Sequence, residues 1–189
     1  MMSTKDLVAH LDHQQHVLEG LSSSACIAFG AACLERQRPI YERASLTESW
    51  GQKGIPALRQ VSDLLWSAAS GTDLREADLS ALLTSLLPPD EALVSGPPVA
   101  AFTIANAVAD FTTSIQEGNP HYAHCMARCG IELIETLADD LSVDLEHLER
   151  KEITRQSADL ATVVKSMSDV VQRIRASSTS QSLFGSEWF

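Results

Sequence analysis

His121, Cys125 and Cys129 follow one another at steps of four residues. On a helix this spacing stacks them along one face, and an i, i+4 pair can give a metal ion two ligands from one side. His124 stands beside them. Cys26 and Cys33, seven apart, share a face of an earlier segment. If the two segments packed together, thiols and an imidazole could converge as a zinc or iron site. Against this, the chain has no Cys-x-x-Cys, and cysteine is a common core residue. The four thiols are therefore expected to be reduced and mostly buried, and no cofactor is expected. His121, Cys125 and Cys129 are kept as weak metal candidates. His10, His13 and His16 form a second series, with each step turning a helix by roughly 300°. Leu7, Leu11 and Leu18 claim that helix for the core, so the histidines are expected on its solvated face.

Another set combines charge with aromatic rings. Glu35 and Arg36 precede Pro39, Ile40 and Tyr41; Arg59 and Asp63, four apart, precede Trp66. Tyr and Trp beside charged groups can define a small-molecule site. Glu35, Arg36, Tyr41, Asp63 and Trp66 are accordingly candidate binding residues. The competing expectation is structural, with Glu35 or Asp63 pairing an arginine at a helix junction. Phe184, Trp188 and Phe189 are a third set, placed with Leu183 after a Ser-rich stretch. Large apolar side chains there need a surface to dock on, in cis or in a partner.

Recognisable catalytic machinery is missing. There is no Glu-x-x-His of the di-iron type; the nearest match is a single Asp144-x-x-His147. The chain also lacks a Walker loop, a Gly-x-Gly-x-x-Gly and a Gly-x-Ser-x-Gly. An enzyme is not expected.

The elements that would position these residues read as helices. Ser3 or Thr4 can cap the first, and Gly20 with Ser22–Ser24 breaks it. A second spans about 25–38, its Ala28, Gly30, Ala31 and Ala32 allowing close approach, and Pro39 ends it. A short helix near 40–46 follows, then a loop at Trp50–Gly54. Pro56 opens the next helix, with Leu58, Val61, Leu65 and Ala69 inward. Asp73 caps another, striped by Leu79, Leu82, Leu83 and Leu86. Ser95-Gly96-Pro97-Pro98 is the clearest break. From Val99 to Glu117 the chain is apolar nearly all round, as for a central buried helix. Asn119-Pro120 starts the next. A long C-terminal helix from about 144 carries Leu145, Leu148, Leu160, Val163, Met167, Val170 and Ile174. No stretch alternates like a strand. The expectation is all-α: one multi-helix bundle of seven to eight helices over 1–176, followed by a tail at 177–189.

The formal charge is −11 and the pI about 4.8. Such a surface repels phosphate backbones and anionic lipid, so neither nucleic acid nor membrane is an expected partner. No apolar run reaches the roughly 18 residues of a membrane helix, and the N-terminal residues lack a signal-peptide core. A cytoplasmic location is expected.

The run Phe29 to Tyr41 resembles the Phe-x-Ala-x-x-x-Glu-Arg-x-x-Pro-x-Tyr signature of the YjaG-like bacterial family, domain of unknown function 416. Phe29, Ala31, Glu35, Arg36, Pro39 and Tyr41 fall in register. Asp63-Leu64-Leu65-Trp66 is similar to the family's Asp-Leu-x-Trp, and Pro98 opens an Ala-rich helix as in the family. The family's early acidic residue of that helix is replaced here by Ala101 or Phe102. The resemblance implies an all-helical cytoplasmic protein with no established activity.

Together these readings favour a non-enzymatic module that binds a protein partner. One form is a regulatory or immunity/antitoxin-like protein meeting a basic partner by charge complementarity. Two alternatives stand beside it: a small-molecule-binding protein or enzyme with a pocket around Glu35, Arg36, Tyr41, Asp63 and Trp66, and a structural homodimer joined through Val163, Met167, Val170 and Ile174.

Overall fold

A computed structural model describes residues 4–93, 96–141, 144–165 and 169–179. Among them are eight α-helices and no strand: α1 Thr4–Glu19, α2 Ser23–Ser45, α3 Gly51–Ala69, α4 Ser80–Leu86, α5 Pro97–Gln116, α6 His124–Leu141, α7 Leu145–Val164 and α8 Val170–Thr179. Short 3-10 turns at Asp90–Ala92 and Pro120–Ala123 precede α5 and α6. The all-α bundle expected from the sequence is what forms.

The bundle is organised around α2, which packs on α3, α5, α6, α7 and α8. Every residue from Ala25 to Gln37 is buried. Small side chains make this possible: the Phe111 ring of α5 lies against Gly30, where any Cβ would collide with it. The central helix is therefore α2 and not α5, contrary to the apolar reading of 99–117. Along α5, Asn106, Asp110 and Thr113 face outward.

Helix starts follow capping chemistry in part. Ser22 Oγ accepts from Ala25 N–H at 3.3 Å, and Asp144 Oδ1 accepts from His147 N–H at 3.1 Å. Each cap satisfies an orphan donor and contributes about 1 kcal/mol. Gly71 and Gly118 stop α3 and α5 at φ of 110° and 80°, a region costly for residues with a Cβ.

Several boundaries differ from expectation. Pro39 does not end α2. The helix continues because Ile40, Tyr41 and Ala44 prolong its buried face, and Tyr41 Oη donates to Leu86 O at 2.8 Å. That burial outweighs the one backbone bond Pro39 removes. The connection to α3 is thus only 46–50, and Pro56 lies inside α3. Asp73 caps no helix: its carboxylate binds Arg75, and α4 begins seven residues later. The stripe from Leu145 to Ile174 is carried by two helices. Val163 and Ile174 are each 1% exposed, so they are spent in packing, and Met167 lies outside the described residues. In α1 Leu18 reaches the core and Val17 packs against it; Leu7 and Leu11 are half-buried and stand apart from it.

Candidate functional site

Glu35 and Arg36 are adjacent in α2, so their side chains leave the helix about 100° apart and serve different neighbours. Glu35 turns to α3. Its Oε1 accepts from Ser62 Oγ at 2.6 Å and from Trp66 Nε1 at 3.2 Å, and its Oε2 pairs with Arg38 Nη2 at 3.1 Å. Trp66 is fully buried, with the Arg175 guanidinium of α8 5.8 Å above its ring. Arg175 Nη2 also donates to Asp63 Oδ1 at 2.7 Å. Tyr41 lies further along α2, bound to the end of α4. The structure therefore joins Glu35, Trp66 and, through Arg175, Asp63. It places Arg36 and Tyr41 elsewhere, so the five do not line one pocket.

Arg36 turns to α7 and is fully buried. Its Nε and Nη2 both donate to Glu152 Oε1 at 3.2 Å, its Nη1 donates to Asp159 Oδ2, and Nη2 reaches Cys33 Sγ at 3.4 Å. A seam of amides continues from there. Gln156 Nε2 donates to Glu152 Oε1 at 3.0 Å and to Ala127 O at 2.9 Å; Gln14 Nε2 donates to Gln156 Oε1 at 2.9 Å. Gln37 Nε2 donates to Met126 O at 2.6 Å. Gly130 leaves room for Gln37 and Glu152 to face each other. Gln14 Oε1, Gln37 Oε1 and Glu152 Oε2 find no donor among the described residues. Acceptors exceed donors in this seam, which makes the guanidinium its critical member.

The two ends of the Arg36–Asp159 pair respond differently. Burial opposes charge on Arg36, but Glu152, Cys33 and Asp159 more than offset it and hold the guanidinium protonated. Burial raises the Asp159 carboxyl, and Arg36 offsets only part of that. The guanidinium stays charged because nothing nearby approaches its basicity; the cost of burial falls on Asp159. His10 joins the seam as well, its Nε2 2.8 Å from Gln14 Nε2. Its imidazole is lowered mainly by burial. Of the three histidines expected in solvent, only His13 and His16 are exposed.

The metal candidates diverge. His121 Nδ1 is 2.8 Å from Leu18 O and 3.5 Å from Cys26 Sγ, toward α1. Cys125 and Cys129 donate to the α5 carbonyls of Ala107 and Thr103, at 3.7 and 3.8 Å. Among the described residues no three His, Cys, Asp or Glu side chains gather as a metal site. Burial pushes the Cys26 thiol up to about 11 and Cys125 up to about 12, and raises Cys33 and Cys129 well above the ordinary thiol value. Metal ligation needs thiolate, so this environment works against it. Alkylation of the folded chain at mildly alkaline pH is accordingly expected to be slow, with four adducts by mass spectrometry only after unfolding. Rapid labelling of Cys33 or Cys129 in the folded chain would contradict these environments.

The surface feature that sequence reading missed is a groove of about 400 Å³ between α1 and α6. Leu7, Leu11 and Ile131 line it, with Asp12, Glu132 and Glu135 on its rim. The half-exposed Leu7 and Leu11 were the available signal, hidden by their fit to a core stripe. Phe184, Trp188 and Phe189 lie outside the described residues.

Fold and interior define an all-helical bundle whose buried polar groups tie helices together. The same fold occurs in the crystal structure of a DUF416 family protein from Shewanella baltica OS155, with a TM-score of 0.72 at 16% identity, covering 90% of this chain and 96% of that one. At this identity the likeness is one of fold, and it agrees with the resemblance read from Phe29 to Tyr41. No protein-family model matches the chain, and no curated protein matches it in sequence. Among the described residues no helix is long and apolar enough to cross a membrane.

Proposed function

We propose that the chain is a protein-binding module with no catalytic activity of its own. The observation that carries this reading is where its reactive and its apolar groups lie. Glu35 and Arg36 are buried, the first held by Ser62 and Trp66 of α3 and the second by Glu152 and Asp159 of α7. Leu7, Leu11 and Val8 are instead left outside the core cluster, beside an open groove. Side chains consumed in packing cannot turn over a substrate; apolar side chains left at a surface favour association.

The test is native mass spectrometry on tagged protein recovered gently from its own host. A second, different chain at fixed stoichiometry is the expected result. Recovery of the bare chain alone, across growth conditions, would overturn the reading.

A further inference from the structure

We infer that the groove between α1 and α6 receives a basic amphipathic helix of a partner protein, a specific site for the binding role proposed above and dependent on it. Leu7, Leu11 and Ile131 supply an apolar floor. Val8 stands beside them at 51% exposure; Ile131 is itself buried, while Leu7, Val8 and Leu11 lie outside the core cluster. The rim is acidic: Asp12 from α1, Glu132 and Glu135 from α6. Arg128, tied to Glu132 at 2.7 Å, and the imidazole of His124 line it too. Three acids against Arg128, with histidine counted neutral, leave these described residues at −2, on a chain of −11. Glu149 of α7 registers the same field. Its carboxyl is raised by burial, then by Glu135 and Glu146.

The spacing suits a helix. Arg128, Glu132 and Glu135 mark successive turns of α6, a rise of about 10 Å. Apolar anchors at i, i+4 and i+7 on a partner helix span the same distance, with Lys or Arg on its flanks to meet the rim. Other occupants fit less well. A second copy would bring the same acids against themselves across a two-fold axis. Residues 180–189 contain Glu187 and no Lys or Arg. A small molecule would find its polar partners exposed on the rim, with no buried polar group to orient it.

The probe is a labelled synthetic peptide with Leu at i, i+3, i+4 and i+7 and Lys at the remaining positions. Its counterpart carries Glu in place of Lys. Fluorescence anisotropy with the full chain is expected to detect the Lys peptide and not the Glu peptide. Glu132→Lys with Glu135→Lys should weaken binding by about tenfold or more, as like charges meet. Val8→Asp, at an exposed position that spares the core, should do the same. Asp90→Lys with Glu91→Lys, an equal charge change on the distant 3-10 turn, should leave most of the affinity intact. Equal losses in both charge variants, or indifference to Val8→Asp, would reduce the binding to bulk attraction and overturn the site. Binding of the Glu peptide would overturn it too. So would a dimer of the free chain that Val8→Asp dissociates, or a groove that binds only after residues 180–189 are removed. Circular dichroism confirms that each variant is folded. If a partner from the host stays bound to the groove variants, the site fails and the binding-module reading stands. If no partner is recovered, that reading itself fails.

Discussion

Arg36→Ala is expected to lower stability by about 3–5 kcal/mol, the largest loss from any single polar substitution here. The variant leaves Glu152 Oε1 with only Gln156 as donor and Asp159 Oδ2 without its guanidinium, both buried among α2, α6 and α7. Arg36→Lys keeps the charge but loses the fork that reaches both carboxylates, so it should fall between wild type and alanine. The informative control removes all three charges: Arg36→Met with Glu152→Leu and Asp159→Leu. Replacing a buried ionic triad by apolar groups of similar size is often neutral. The triple variant should therefore recover most of the loss, with Gln156 still bonded to Ala127 O. Urea denaturation with matched slopes measures this. If the triple variant is as unstable as Arg36→Ala, the cost comes from packing rather than from stranded charge.

The triad also explains why part of this molecule was legible in the sequence and part was not. Inner faces governed by local periodicity came through: Leu58, Val61, Leu65 and Ala69 are all buried on α3, and Gly96-Pro97 starts α5. Local spacing raised the expectation that Glu35 or Asp63 pairs an arginine, and both do, although Glu35 and Arg36 lie within α2 and not at its end. It could not show that Arg36 pairs with residues 116 and 123 positions away, because no local pattern encodes a partner on another helix. The same limit applies to Pro39. Its cost is local and visible, while the burial of Tyr41 that overrides it depends on the end of α4. Leu7 and Leu11 went astray in the opposite sense. Helical spacing says which residues share a face, not whether a neighbour covers that face.

These failures bear on function. The five residues singled out for a pocket, Glu35, Arg36, Tyr41, Asp63 and Trp66, were chosen because charge beside an aromatic ring is a common sign of ligand binding. In this chain the same combination holds helices together. Trp66 and Asp63 share Arg175, which brings α8 onto α3; Glu35 anchors the opposite side of the indole. Glu35 and Trp66 are buried in this arrangement, while Asp63 and Arg175 pair at the surface. Among the described residues the exterior includes a partly apolar groove between α1 and α6.

Trp66 distinguishes these two roles experimentally. Trp66→Ala should cost about 3–5 kcal/mol, since it empties the largest fully buried side chain from the α2–α3 contact. Trp66→Phe keeps most of that volume and removes only the Nε1–H. Glu35 Oε1 then retains Ser62, and the loss should be about 1 kcal/mol. Arg175→Ala leaves the indole in place and removes a cation over its face, with an expected loss of about 0.5–1 kcal/mol. A structural cluster predicts this descending order in urea midpoints. A ligand pocket predicts something different: Trp66→Phe or Asp63→Ala would fold normally yet abolish a thermal shift produced by a small cationic ligand in the wild type. Finding that pattern would restore the pocket, and with it a function other than protein binding.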